Sequence, residues 1–288
     1  MSSFSRLIRF ESAENKSVLY ADLGDSTAIP GHGSTVRAFS SFEDLVDGIN
    51  ATDMPLGKLL APMVNPGAPI YCVGLNYRSH AEEAKPLQLK VTLNPPLWTK
   101  PAAALANPGE DIPVNKFCAQ SAVDYEVSQG ELVFVTSKES SNLSPDQAQQ
   151  NILGYTVGND LSCRKYRLPD FSAGQFFFAK AFDKFAPIGP MLISPHLFEI
   201  GDGVKLVTKV NGEVRQDAEI VNDLIFSPAE ILSHMSQGTT IPAGTAVMTG
   251  TPAGVGAFCE PKKFLRSGDT IEIEIVGLGV LKNTMQFV

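Results

Sequence analysis

The densest run of residues able to do chemistry is Gly74-Leu75-Asn76-Tyr77-Arg78-Ser79-His80-Ala81-Glu82-Glu83. Ser79 can cap a short helix with Glu82 in the capping-box position, which sets His80 and Glu83 on one helical face. A carboxylate beside an imidazole fixes its tautomer and raises its basicity. The pair therefore reads either as a general base, acting directly or through water, or as a solvated i,i+3 pair.

A second constellation is Val123-Asp124-Tyr125-Glu126-Val127-Ser128-Gln129-Gly130-Glu131-Leu132, followed by Gly158-Asn159-Asp160. Carboxylates at the ends of neighbouring strands are either simply solvated or make the hard-oxygen environment that suits Mg²⁺, Mn²⁺ or Ca²⁺. Such an ion can hold and polarise a chelating keto acid. Lys180 follows three phenylalanines, and Lys100 stands in TKPAAAL. Each either snorkels, pairs with a carboxylate or serves a ligand. Thr249-Gly250-Thr251-Pro252-Ala253-Gly254-Val255-Gly256 lacks the GK[ST] ending of a phosphate loop, yet its hydroxyls and backbone N–H groups suit a carboxylate. His32, His196 and His234 read as surface or structural, Trp98 as a packing anchor, and Cys163 has no adjacent histidine.

The elements that must position these groups are mostly strands. Leu7 to Tyr20 reads as two short strands around ESAENK, and SFEDLVDGI as a helix started by Ser41. The Pro- and Gly-rich APMVNPGAP then leads into the apolar strand IYCVGLNY. VKLVTKVNGEVRQ alternates around Asn211-Gly212, a type I′ hairpin pair, and TIEIEIV alternates with period 2 before GLG turns the chain. Two helices interrupt the strands, and Ser144-Pro145-Asp146-Gln147 and Ser227-Pro228-Ala229-Glu230 open them with capping boxes.

A chain of 288 residues, 43% of them hydrophobic, is long enough for a sizeable core. With 23 basic against 31 acidic residues and no basic stripe, it carries no electrostatic footprint for nucleic acid. The four cysteines form no CxxC knuckle, no apolar run is long enough to span a membrane, and no targeting signal stands out. A cytoplasmic chain with reduced thiols is expected.

Taken in order, GLNYRSHAEE, VDYE, GYTVGNDLSCRKYR, FFFAKAFDKFAPIGP, VNGEVRQ and VMTGTPAGVG resemble the fumarylacetoacetate hydrolase family over about residues 65–288. The resemblance implies a mainly β, α+β fold with a rolled mixed sheet. It also implies a small α+β N-terminal domain over 1–65, a catalytic domain over 66–288 and a homodimer. It assigns Glu126, Glu131 and Asp160 as metal ligands for Mg²⁺, with Mn²⁺ or Ca²⁺ as alternatives. His80, Glu83 and Lys180 become the catalytic groups, and Tyr77, Lys100, Gln216 and Thr251 the substrate-binding ones.

Two departures stand out. The second glutamate of the family's ExE spacing is replaced by Ser128; treating Ser128-Gln129-Gly130 as a bulge brings Glu131 into that place, whereas Ser128 itself would leave one charge fewer. SCRKYR stands where the family commonly has SARD, a variable residue and Gln, so Lys165 replaces an aspartate. The activity expected first is metal-dependent hydrolysis of a C–C bond in a 2,4-diketo acid of the acylpyruvate or fumarylacetoacetate type. The alternatives are oxaloacetate decarboxylation, enol–keto tautomerisation, and a catalytically reduced dimeric binding protein.

Overall fold

The computed structural model describes residues 4–87, 91–119 and 129–288. Before residue 120 the strands are β1 (Arg6–Ser12), β2 (Val18–Asp22), β3 (Thr35–Ala38), β4 (Thr52–Leu60), β5 (Ile70–Val73), β6 (Leu97–Lys100), β7 (Leu105–Ala106) and β8 (Asp111–Val114). After it come β9 (Gly130–Thr136), β10 (Ile152–Asn159), β11 (Ala186–Ile193), β12 (Lys205–Val210), β13 (Glu213–Glu219), β14 (Ala246–Met248), β15 (Thr270–Ile275) and β16 (Gly279–Phe287). Among the described residues they form two sheets. The larger runs β3-β4-β1-β11-β10-β9-β14-β5-β6, with β2 on β1 and β7 on β11, and the smaller runs β13-β12-β15-β16-β8. Most pairs are antiparallel; β14–β5, β11–β7 and β16–β8 are parallel, so the sheets are mixed.

The centre of the larger sheet explains its own sequence. Every residue of β9, β10 and β11 is buried, because the smaller sheet packs on one face and the rest of the core on the other, so these strands read as continuous apolar runs rather than alternating ones. Gly130 opens β9 against the smaller sheet, close enough that a Cβ there would lie 2.4 Å from Thr208 Oγ1 and 3.0 Å from Ile273 Cγ2. The outer strands alternate as expected. β15 keeps Ile271, Ile273 and Ile275 in the core, and Asn211-Gly212 turns β12 into β13 with φ of 52° and 80°, both positive as a type I′ turn requires.

The first 65 residues contribute β1 to β4, and β1 pairs antiparallel with β11, placing Leu7 opposite Leu192 in the larger sheet. Their helix, Phe42–Asp47, begins where the Ser41 side chain accepts the Asp44 N–H and ends at left-handed Gly48. Ser144 and Ser227 start Pro145–Gln150 and Pro228–Met235 with complete capping boxes. The expectation of only two interrupting helices is too simple. The short helix expected around His80 forms at Arg78–Glu83, and further short helical turns occur at Arg164–Arg167, Pro169–Ser172 and Phe177–Lys180, too short to print a helical period on the sequence.

Candidate functional site

The exit of β5, the starts of β6 and β9, the end of β10 and the loop after β14 converge on one cavity of about 110 Å³. That volume suits a small metabolite rather than a nucleotide. His80, Glu131, Asp160, Lys180 and Thr251 line it. They are brought together from segments spread over more than half of the chain.

His80 lies on Arg78–Glu83, whose N-cap is Tyr77 and makes no side-chain capping bond. The expected Ser79–Glu82 capping box does not form. Instead Ser79 donates its N–H (2.7 Å) and its hydroxyl to Asp223, and Glu82 pairs with exposed Lys85. The cap comes from a carboxylate distant in sequence, which local spacing cannot show. His80 Nδ1 lies 2.9 Å from Glu83 Oε2, and the other Glu83 oxygen accepts the Gly254 N–H at 3.0 Å. A carboxylate against Nδ1 assigns the proton to that nitrogen and leaves Nε2 as the basic atom. Burial lowers the imidazole pKa, overcoming the upward pull of Glu83, so His80 is neutral near pH 7. Its ring meets Phe258 edge-on at 5.5 Å.

Asp160 follows β10 and is buried between two ammonium groups. Lys100 Nζ stands 2.6 Å from Oδ1, and Lys180 bonds Oδ2. Although burial pushes its carboxyl up, these two cations hold its pKa below the ordinary value. Lys180 itself is brought down to about 8, burial outweighing the attraction of Asp160. It also donates to Gln129 Oε1 at 3.3 Å and lies 4.7 Å from the Trp98 ring centroid. Glu131, 1% exposed, accepts the Gly250 N–H at 2.8 Å. Burial first and the Asp160 charge second push its pKa well above the usual range. Burial and the Asp160 charge leave Glu131 costly as an anion, whereas Asp160 is balanced by its two lysines; as hard-oxygen groups, Glu131 and Asp160 are the described residues that could hold a divalent cation. Glu126 and Ser128 lie outside the described residues, so of the expected Ser128-Gln129-Gly130 bulge only Gln129 and Gly130 are described, with Gly130 paired opposite Asn159. Among the described residues no group of three or more acidic, His or Cys side chains is clustered for a metal.

Other expected substrate contacts do not line the cavity. Lys100 is fully buried and gives its ammonium to Leu161 O, Phe185 O and Asp160, so it braces the carboxylate from behind. Gln216 on β13 accepts from Gly130 N and Thr208 Oγ1 and donates to Thr251 Oγ1 and Pro252 O, which uses its amide to hold β9 against the loop. Tyr77 is fully buried, is not among the cavity's lining residues and pairs with Leu224 in an isolated bridge. Thr251 does reach the cavity, with its hydroxyl donating to Gly130 O at 2.9 Å. The N–H groups of its loop do meet carboxylates, but those of the protein itself, Glu131 and Glu83.

The sequence reading missed Arg164, Arg167, Gln129, Phe176 and Phe258, which all line the cavity, and Trp98 lines it as well as packing. The one available signal was the concentration of cations and aromatics in SCRKYR and QFFFAK. Among the described residues no helix is long and apolar enough to cross a membrane.

Residues 69–286 match the family described as fumarylacetoacetate (FAA) hydrolase C-terminal. Oxaloacetate tautomerase YisK of Bacillus subtilis is 38% identical over 226 residues, which cover 78% of this chain and 72% of that one. The crystal structure of 2-hydroxyhepta-2,4-diene-1,7-dioate isomerase from Mycobacterium marinum superposes with a TM-score of 0.76 at 29% identity, covering 98% of each chain. A fumarylacetoacetate hydrolase from Exiguobacterium antarcticum gives 0.77 at 27% identity, covering 99% of this chain and 100% of that one. With its sheets, its cavity and these relatives in agreement, the chain belongs to the fumarylacetoacetate hydrolase family, whose similar members here are enzymes.

Proposed function

We propose that this chain interconverts the keto and enol forms of a 2-keto acid, with oxaloacetate, the substrate named for the Bacillus relative, as the first candidate. The observation that carries this reading is a buried, neutral His80, oriented by Glu83, in the same cavity as the Lys180 ammonium. Tautomerisation needs only that a proton move from carbon to oxygen or back. His80 Nε2 takes a proton from C3, the C–H pair becomes the C2–C3 double bond, and the carbonyl π pair moves to the C2 oxygen. Lys180 faces that developing charge as a buried donor. The oxygen then takes the proton, and the reverse sequence restores the keto form. Val73, Leu75, Pro96, Phe176 and Phe258 make much of the wall apolar, which limits water beside the carbanion.

Glu131 and Asp160, together with Glu126, would hold a divalent cation. When bound, such an ion supplies chelation of the 2-keto carboxylate and further stabilisation of the enolate oxygen. Lys100 keeps Asp160 in place for that role.

Hydrolysis of a 2,4-diketo acid, the activity expected first, uses the same groups but needs a water held by His80 against the distal carbonyl. The activities named for the Bacillus and Mycobacterium relatives favour proton relocation. The test follows the enol absorbance of oxaloacetate with wild-type protein and His80→Asn, alongside product analysis on oxaloacetate and on acylpyruvates. Accelerated enol–keto exchange that drops on the order of 100-fold in the variant is expected. Acylpyruvate cleavage, or pyruvate release from oxaloacetate, outpacing that exchange would overturn the assignment.

A further inference from the structure

The chain that enters the His80 helix, Asn76 to Ser79, runs against Asp223 to Phe226, a segment of which no residue lines the cavity. Asn76 is fully buried. Its backbone oxygen accepts the Ile225 N–H at 2.9 Å and its side-chain oxygen the Phe226 N–H at 2.7 Å, while its amide donates to Phe226 O at 3.0 Å and Thr249 O at 2.8 Å. Tyr77 follows in its bridge to Leu224. Ser79 completes the run, giving its N–H to Asp223 Oδ1 at 2.7 Å and its hydroxyl to Oδ2.

The Ser79 hydroxyl has a second partner. Its oxygen accepts the Ala253 N–H at 3.0 Å, one residue before the Gly254 N–H reaches Glu83. Ser79 Oγ is thus the joint at which the His80 helix, the 223–226 segment and the loop after β14 meet. A carboxylate suits that joint, because it accepts from both Ser79 donors at once and leaves the hydroxyl lone pairs to Ala253. It also satisfies a first-turn N–H that the N-cap, Tyr77, leaves without a side-chain acceptor.

We infer that Asp223 is a positioning residue for the proton transfer at His80, acting through Ser79. It sets the placement of Arg78–Glu83 against the loop after β14, and so keeps Glu83 between the Gly254 N–H and His80 Nδ1. Once that placement is lost, Glu83 can part from Nδ1 and the ring carries its proton on either nitrogen. Only a fraction of the molecules then offers a basic Nε2 to the substrate.

The kinetic consequence rests on the keto–enol reading of the site, so the test includes a measurement on the ring that needs no turnover. Protein carrying isotope-labelled histidine gives the nitrogen signals of the His80 ring by nuclear magnetic resonance, identified by their loss in His80→Asn. Wild type is expected to show one tautomer, protonated at Nδ1. Asp223→Asn keeps an acceptor for the Ser79 N–H and loses the one for its hydroxyl, and should show exchange between tautomers. In magnesium-containing buffer the same variant should lower kcat for enol–keto exchange of oxaloacetate by about 10-fold and leave KM within about threefold, since no substrate contact is removed. Ser79→Ala removes the same bond from the other side, so its loss should be similar and the double variant should fall no further than the larger single one. Ser79→Thr, which restores the hydroxyl, should recover most of kcat. Additive losses, a single tautomer retained in both Asp223→Asn and Ser79→Ala, or a rise in KM as large as the fall in kcat would each overturn the role. Should Asp223→Asn fail to fold, the tautomer in Ser79→Ala against Ser79→Thr decides it. A tautomer change in a protein whose wild type does not interconvert oxaloacetate overturns the reaction assignment and leaves the positioning of His80 standing.

Discussion

His80 gains its chemistry from two opposed effects. Burial lowers its pKa, and Glu83 raises it again without restoring the ordinary value. Activity that needs neutral imidazole therefore rises with pH through a pKa below about 6.5 and is already at its plateau near neutrality. Glu83→Gln removes the upward contribution, so the acid limb of kcat/KM should move to still lower pH while kcat falls about 10-fold or more through loss of ring orientation. A limb that moves upward would show that another group is being titrated. Lys100 illustrates a different use of charge. With Asp160 fully buried between two lysines, Lys100→Met leaves the second carboxylate oxygen unbalanced, and a loss of about 3–5 kcal/mol in denaturant stability is expected, the cost of breaking a buried pair. A loss confined to KM, with unchanged stability, would instead return Lys100 to a substrate-contacting role.

At the scale of elements, the loop after β14 is the part that ties the chemistry together. Its N–H groups reach Glu131 from Gly250, Ser79 from Ala253 and Glu83 from Gly254. Gly254 can do so because its φ is +103° and its α-carbon passes so close to Arg215 that a Cβ would lie 2.1 Å from the Arg215 carbonyl oxygen. Gly254→Ala should therefore cost about 1–3 kcal/mol or more and lower kcat together with stability, since the backbone that holds Glu83 must move. A control comes from the capping box of Pro228–Met235, which carries no cavity residue. Ser227→Ala should cost about 1 kcal/mol in chemical denaturation and leave kcat unchanged.

At the scale of the whole molecule, the two sheets bury the floor of the site in their shared core. Gly130 and Gln216 lie where β9 meets β12 and β13, and Thr251 is bonded to both, so distortion of the sheet contact reaches the cavity directly. The same burial links ion binding to global stability. If Glu131 and Asp160 hold a divalent cation only in the folded chain, Mg²⁺ at 100 times its Kd adds about 2.7 kcal/mol and raises Tm. Glu131→Gln should abolish most of that increment. An equal Mg²⁺-dependent rise in the variant would locate the ion elsewhere.

What neighbours a few residues apart govern could be read directly from the residues. The serine caps at 41, 144 and 227, the Asn211-Gly212 turn, the alternation of β15 and the i,i+3 pairing of His80 with Glu83 all close within one turn or hairpin, where local sterics and hydrogen bonding decide. The order of its motifs was enough to place the chain in its family. The long-range partner of each polar group was set by packing across the fold. Ser79 found Asp223 144 residues away instead of capping its own helix, and Glu83 found Gly254 across 171 residues. Lys100 was turned from a ligand contact into a brace by three oxygens from distant segments. Arg164 and Arg167 became cavity residues because short turns fold them over Phe258 and Phe176. Desolvation makes those choices: a buried charge must find a partner wherever the packed chain supplies one, and packing, not spacing, brings that partner within reach.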